Sequence, residues 1–318
     1  DSFLAAGSGE EVRSEVSVGR AVLPLVYSVD DRIKVGGSVD YVWAGMDLKM
    51  ALSPNAFNSL NNGTAGELSG TLASKFNNFL GMPGMSLDYA RFDFSNESDY
   101  TGEAEGAGFA GKLGIVYDVS EELTFGATYH SETSLGDLET NNSTMTASIS
   151  GNPVELEGDI KVKNFEWPST FAIGAAYQAS DRLLLVGDIK QINWSDVMKD
   201  FNMVFSADDS AANDYTAAFR PGADFGGDEL DATLYQDWDN QTVVSLGGSY
   251  GFTEKFTGRV GANVSNNPVP SKYLNALFPA IVENHLTFGA GYGFSDAQSV
   301  DFSMTYAPEV EAKNSQNM

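Results

Sequence analysis

Apolar and polar positions alternate with a period of two along most of this chain. Leu286, Phe288, Ala290, Tyr292 and Phe294 are apolar or aromatic, with Thr287, Gly289, Gly291 and Gly293 between them. After a short polar turn, Val300, Phe302, Met304 and Tyr306 alternate with Asp301, Ser303 and Thr305. The pattern recurs in residues 33–43, 109–117, 123–130, 171–177, 183–190, 244–252 and 256–264. Successive side chains of a strand point to opposite faces, so this alternation predicts strands with one apolar face. Residues 15–28 are noisier, and Pro24 there predicts a kink or bulge. About ten strands are predicted in all.

The connections alternate short and long. Short turns fall near residues 30–32, 118–122, 180–182, 253–255 and 295–298, and long ones span 54–104, 133–166, 202–236 and 266–284. An up-and-down meander has all its short turns at one end, as transmembrane barrels do. The runs also exceed the roughly five or six residues usual for soluble strands. The expected fold is therefore all-β: a transmembrane antiparallel up-and-down β-barrel forming one domain over 1–318. Its apolar face meets lipid, and aromatic residues near the short turns, among them Tyr27, Tyr117, Tyr177 and Tyr250, form an interfacial girdle. A mean hydropathy of −0.19 is compatible with this, because only every second strand residue is apolar. A soluble sandwich or adhesin is the competing architecture.

Residues 54–88 break the pattern. Leu68, Leu72, Phe76, Phe79 and Leu80 fall on one face at helical spacing, Ser59 or Thr64 is available as a cap, and the "GMPGM" at 81–85 ends the run. An amphipathic helix in an extracellular loop packs either onto a neighbouring loop or against an apolar molecule.

Acidic residues outnumber basic ones 44 to 18, for a formal charge of −26. That argues against a nucleic-acid partner. The acidic charge reads as solvation of the long loops, with calcium bridging as the sharper alternative. There is no cysteine, and the two histidines lie on different strands, so no thiolate, histidine-cluster metal site or catalytic triad is expected. No cofactor, metal or enzymatic activity is expected.

Several ordered stretches together resemble the FadL family of outer-membrane channels for long-chain fatty acids and other hydrophobic compounds. These are 108–132, 167–196, 235–252 and 259–294, with Tyr129–His130–Ser131, Pro168, Trp194–Ser195, Gln236–Asp237–Trp238 and Asn267–Pro268–Val269–Pro270 as the carrying motifs. The resemblance implies a fourteen-stranded barrel with an N-terminal hatch in the lumen. It also implies that the hatch, three leading strands and a closing strand lie outside this sequence, and that the chain is part of a longer protein.

The resemblance further implies passive uptake of hydrophobic small molecules (fatty acids, hydrocarbons or aromatics) by a monomer in the outer membrane, in contact with membrane lipid and lipopolysaccharide. The residues chosen for capture on the outer loop are Phe57, Leu60, Leu68, Leu72, Phe76, Phe79, Leu80, Met82 and Met85. Lys112, Lys190 and Arg259 are the lumenal cations available for a carboxylate head, unless each pairs with an inward acid such as Asp40, Asp188 or Asp301. A water-filled porin and a surface adhesion or receptor barrel are the alternative functions.

Overall fold

The computed structural model describes residues 8–98, 100–216, 223–275, 277–278, 280–295 and 297–315. β1 (Arg13–Ser28) turns into β2 (Ile33–Leu52). The first long connection holds α1 (Pro54–Asn61), β3 (Gly66–Ser69), α2 (Thr71–Leu80) and β4 (Leu87–Phe94). β5 (Ala104–Asp118) and β6 (Leu123–His130) follow, and the second connection holds β7 (Ser134–Leu135), β8 (Leu138–Glu139), β9 (Ser143–Ile149) and β10 (Asn152–Lys163). After β11 (Thr170–Ser180) and β12 (Leu183–Ile192), the third contains α3 (Trp194–Val197), β13 (Asp200–Ala207) and β14 (Glu229–Tyr235). β15 (Gln241–Gly251) and β16 (Phe256–Ser265) are separated by the fourth long connection from β17 (Asn284–Ser295) and β18 (Gln298–Tyr306).

Ten of these strands form a wall in the order β1-β2-β5-β6-β11-β12-β15-β16-β17-β18, every neighbour antiparallel. The apolar phase faces outward. Leu246 and Phe302 are each 66% exposed and Phe288 45%, where a soluble core would bury them. The reverse face carries glycine, hydroxyl and charge, interrupted by aliphatic residues such as Val22, Val26, Val116, Leu184 and Val186. Among the described residues no helix is long and apolar enough to cross a membrane, and the wall crosses with strands. Pro24 produces no kink: it sits in register opposite Ser38 in an unbroken β1–β2 ladder. β1 pairs only with β2 among the described residues, and an edge strand tolerates proline's missing N–H.

The long connections are not the irregular loops the sequence suggests. Three of them supply a second sheet in the order β2-β4-β9-β10-β13-β14-β3. We call it the cap. Its polarity is the inverse of the wall's. Met145, Leu156, Ile160, Met203, Phe205 and Leu230 are at most 2% exposed, while Glu155, Glu157 and Asp159 on the other phase of β10 face solvent. α2 lies over this sheet with Phe76 and Phe79 against Phe225, at ring-centroid distances of 5.5 and 6.0 Å. The expected single helix is two. Ser53, not Ser59 or Thr64, caps α1, its Oγ accepting Ala56 N–H at 3.2 Å. Leu68 belongs to β3, since its backbone pairs with Ala232 of β14.

β2 joins wall and cap. Its twenty residues exceed the 9–11 needed to cross a bilayer. Up to Met46 it pairs with β5, and from Leu48 with β4. Asp47 stands at the change of partner, 1% exposed. Its carboxylate accepts the backbone N–H groups of Glu103 and Asn96, at 2.7 and 3.3 Å, and the Ser95 hydroxyl at 2.8 Å.

Candidate ligand route

The inward face of the wall contains two troughs. One, of about 500 Å³, has an apolar floor including Val22, Pro24, Val26 and Val116, with Lys112 and His130 at its margin. The other, of about 400 Å³, combines Leu184 and Val186 with Asp188, Asn263, Arg259 and Ser303. A third groove, of about 620 Å³, lies on the lipid-facing side among Ile115, Phe125, Ile173, Ile189 and Leu246. Strand phase excludes it from the lumen, since these residues alternate with the inward set.

Two of the three expected cations are paired. Lys112 Nζ lies 2.8 Å from Asp40, which is fully buried and also meets Arg20 at 3.4 Å and the Ser38 hydroxyl at 2.6 Å. Lys112 also stands opposite His130 in the ladder. Arg259 meets Asp301 at 2.8 Å, reaching over the intervening β17. A Cβ on Gly291 would stand 2.6 Å from Asp301 Oδ1 and 3.1 Å from an Arg259 nitrogen, so a side chain there would displace the pair from this position. Lys190, exposed and opposite Ala172 and Val243, has no ion pair among the described residues. His285 stands opposite Asn263 on the same inward face. Among the described residues no group of three or more His, Asp or Glu could hold a metal ion.

The outer-loop candidates divide sharply. Phe57, Leu60, Leu72, Phe76 and Phe79 are buried in the cap core. Leu68, Leu80 and Met82 are half-buried, and Met85 is exposed. The helical periodicity was legible, but the partner sheet that covers it was not, because it is assembled from three separate connections.

An aromatic group that the sequence reading passed over lies where cap meets wall. Phe165 packs against Trp167 at 5.4 Å and Phe201 at 6.3 Å, and Phe278 lies tilted against Phe201 at 5.3 Å and stacks on Phe165 at 6.5 Å. Alternation of Phe165 and Trp167 just before Pro168 was the available signal. Trp167 is clamped to Thr133: its N–H donates to Thr133 Oγ1 at 3.1 Å, and Thr133 N–H donates to its carbonyl at 3.0 Å. Beside the clamp, burial first, and then the hydrogen bond and charge of Glu132, push the Glu166 carboxyl up to about 7. The Glu166 carboxyl therefore keeps its proton up to near neutrality.

An outward-apolar wall, an acidic cap and apolar-floored inward troughs describe a membrane-spanning β-protein with an inner face. A family model described as outer membrane protein transport protein (OMPP1/FadL/TodX) matches residues 2–318. The chain belongs to this family. Outer membrane protein P1 of Haemophilus influenzae is 26% identical over 200 residues, 63% of this chain and 38% of the relative. The chain thus matches well under half the length of that curated relative. Among solved structures, the Pseudomonas putida toluene transporter TodX is 28% identical with a TM-score of 0.73, covering 92% of this chain and 64% of TodX. The CymD monoaromatic hydrocarbon channel is 27% identical with the same TM-score, covering 93% of this chain and 70% of CymD. As a member of the OMPP1/FadL/TodX family, the chain is an outer-membrane β-barrel protein of the Gram-negative type.

Proposed function

We propose that this protein admits hydrophobic molecules passively across the outer membrane, long-chain fatty acids and aromatic hydrocarbons being the classes considered. The observation that carries the reading is the pair of inward troughs, each an apolar floor beside fixed charge. A ring or alkyl chain lies on the valines and leucines, where each buried CH₂ contributes about 0.8 kcal/mol. A carboxylate finds its counter-charge on Lys190, which has no ion pair among the described residues, and secondarily on Lys112 or Arg259. The names of TodX and CymD favour monoaromatic hydrocarbons, whereas the cations favour an acid. Capture on the outer side falls to the exposed or half-buried Leu68, Leu80, Met82 and Met85, since the buried phenylalanines are occupied with the cap.

The test is uptake of labelled laurate and labelled toluene by cells lacking their own transporter and expressing the full-length protein. Uptake of either supports the reading, and Lys190→Gln is expected to slow laurate while sparing toluene. Large, steady single-channel currents without uptake of either compound would favour a water-filled porin instead.

A further inference from the structure

Away from both troughs, two buried donors lie beneath the fourth long connection. Gln236 is fully buried and Trp238 is 5% exposed. Their backbone N–H groups donate to the carbonyls of Lys199 and Met198, at 2.8 and 3.0 Å, which fixes this segment beside α3. The Trp238 indole packs edge-on against Trp194 at 5.2 Å, in an apolar cluster with Met198 and Val269. Leu274, Phe278 and Ile281 from the overlying connection complete the cluster and, being half-buried, bring it to the surface.

The orientation of the Gln236 amide is determined by its neighbour. Asn275 Oδ1 accepts the Leu277 and Phe278 N–H groups at 3.0 and 3.3 Å. Asn275 Nδ2 is therefore the donor that reaches Gln236 Oε1 at 3.3 Å. Among the described residues that leaves Gln236 Nε2 as a buried donor with no acceptor, and Trp238 Nε1 is in the same condition. Buried N–H groups are nearly always satisfied, because leaving one unpaired is unfavourable. Both donors are neutral. Asp237 and Asp239 flank Trp238, and the nearby Asp200 carboxyl is pushed up first by burial and then by Asp237 and Glu67. This acidic field disfavours an anion and leaves a neutral oxygen as the fitting acceptor.

The geometry points to a binding site, formed by Gln236, Trp238 and the apolar cluster around them, for an apolar molecule carrying one neutral oxygen acceptor, such as a ketone, ester or alcohol. The site rests on the reading that apolar molecules enter this protein.

Acetophenone and ethylbenzene differ by a carbonyl in place of a CH₂. Equilibrium binding of each, radiolabelled, to the full-length protein in detergent tests the site, corrected for partition into protein-free micelles. The ketone is expected to bind about five- to tenfold more tightly, the worth of one neutral hydrogen bond. Trp238→Phe keeps a ring without the N–H, and Gln236→Glu keeps the acceptor for Asn275. Each should reduce the ketone's advantage over ethylbenzene towards unity, and thermal unfolding of each variant reports that the fold is intact. Equal binding of the two compounds, a ketone preference that survives both substitutions, or a parallel loss of both compounds in both variants overturns the site. Binding of neither compound to the unaltered protein overturns the uptake of aromatic molecules as well.

Discussion

The Asp47 carboxylate accepts the Glu103 backbone N–H at 2.7 Å, at the one position where β2 exchanges β5 for β4. A strand that changes partners leaves the adjoining connection without ladder hydrogen bonds, and a buried carboxylate supplies them. Asp47→Ala strands the Glu103 and Asn96 N–H groups and leaves Arg13, 3.3 Å away, without this partner. The expected cost is about 2 kcal/mol of local stability. It should appear as faster proteolysis within residues 95–103, with the wall strands still protected.

Phe76→Ala removes a 2%-exposed ring from the cap core. About 3–4 kcal/mol of cap stability should be lost, as for other buried aromatics. Hydrogen exchange along β9, β10 and β13 would accelerate, and exchange along β15–β17 would not. Equal acceleration in both sheets would mean that cap and wall unfold as one unit.

The carboxyl pair beside the Thr133–Trp167 clamp predicts a pH dependence with a definite sign. The folded Glu166 carboxyl titrates near 7, above its ordinary 4.5. The closed clamp therefore holds a proton that an opened one releases. Clamp stability is at its full value below about 4.5, falls as pH rises towards 7, and is level above that. Proteolysis between residues 131 and 137 should rise over that interval, become nearly flat in Glu166→Gln, and keep a reduced rise in Glu132→Gln, where the burial of Glu166 remains. A rise in protection with increasing pH would contradict the assignment.

Leu246 occupies the middle of β15 on the lipid side, and Ser245 is its neighbour on the inward side. Leu246→Arg should destabilise the folded barrel by about 2–4 kcal/mol in lipid, the cost of a cation near the bilayer midplane. Ser245→Arg should cost far less. Unfolding of the reconstituted full-length protein in urea compares the two, and equal losses would reverse the assignment of faces.

Much of the wall was legible because one rule governs it. In a strand immersed in hydrocarbon, every outward residue is apolar and every inward one is free to be small or polar, so alternation alone identifies face, strand and medium. The cap obeys the same period with the opposite meaning, and its strands are short and spread through three connections. Met145, Ala147 and Ile149 alternate as clearly as Phe288 and Ala290 do. Nothing local to β9 announces β4 and β10 as its neighbours, so the long segments read as loops. The charged sites were legible only by type. Lys112, Lys190 and Arg259 were visible as inward cations, but which of them carries an acid depends on cross-strand register. Lys112 reaches Asp40 from the adjacent strand and Arg259 reaches Asp301 from two strands away. Ion pairing separates Lys190 from the other two, and that is a property of the sheet.

The continuity of β2 constrains how the protein can open. At about 3.3 Å per residue, this strand is a rod of roughly 65 Å, rooted in the membrane and ending inside the cap. Bonded to β1 over most of its length, it works as a cantilever. A swinging motion of the cap as a hinged door would have to bend it and break both ladders at once. Under the proposed function, a molecule that passes the cap is therefore expected to do so through small side-chain and connector displacements at the seam and not by a hinged swing of the cap.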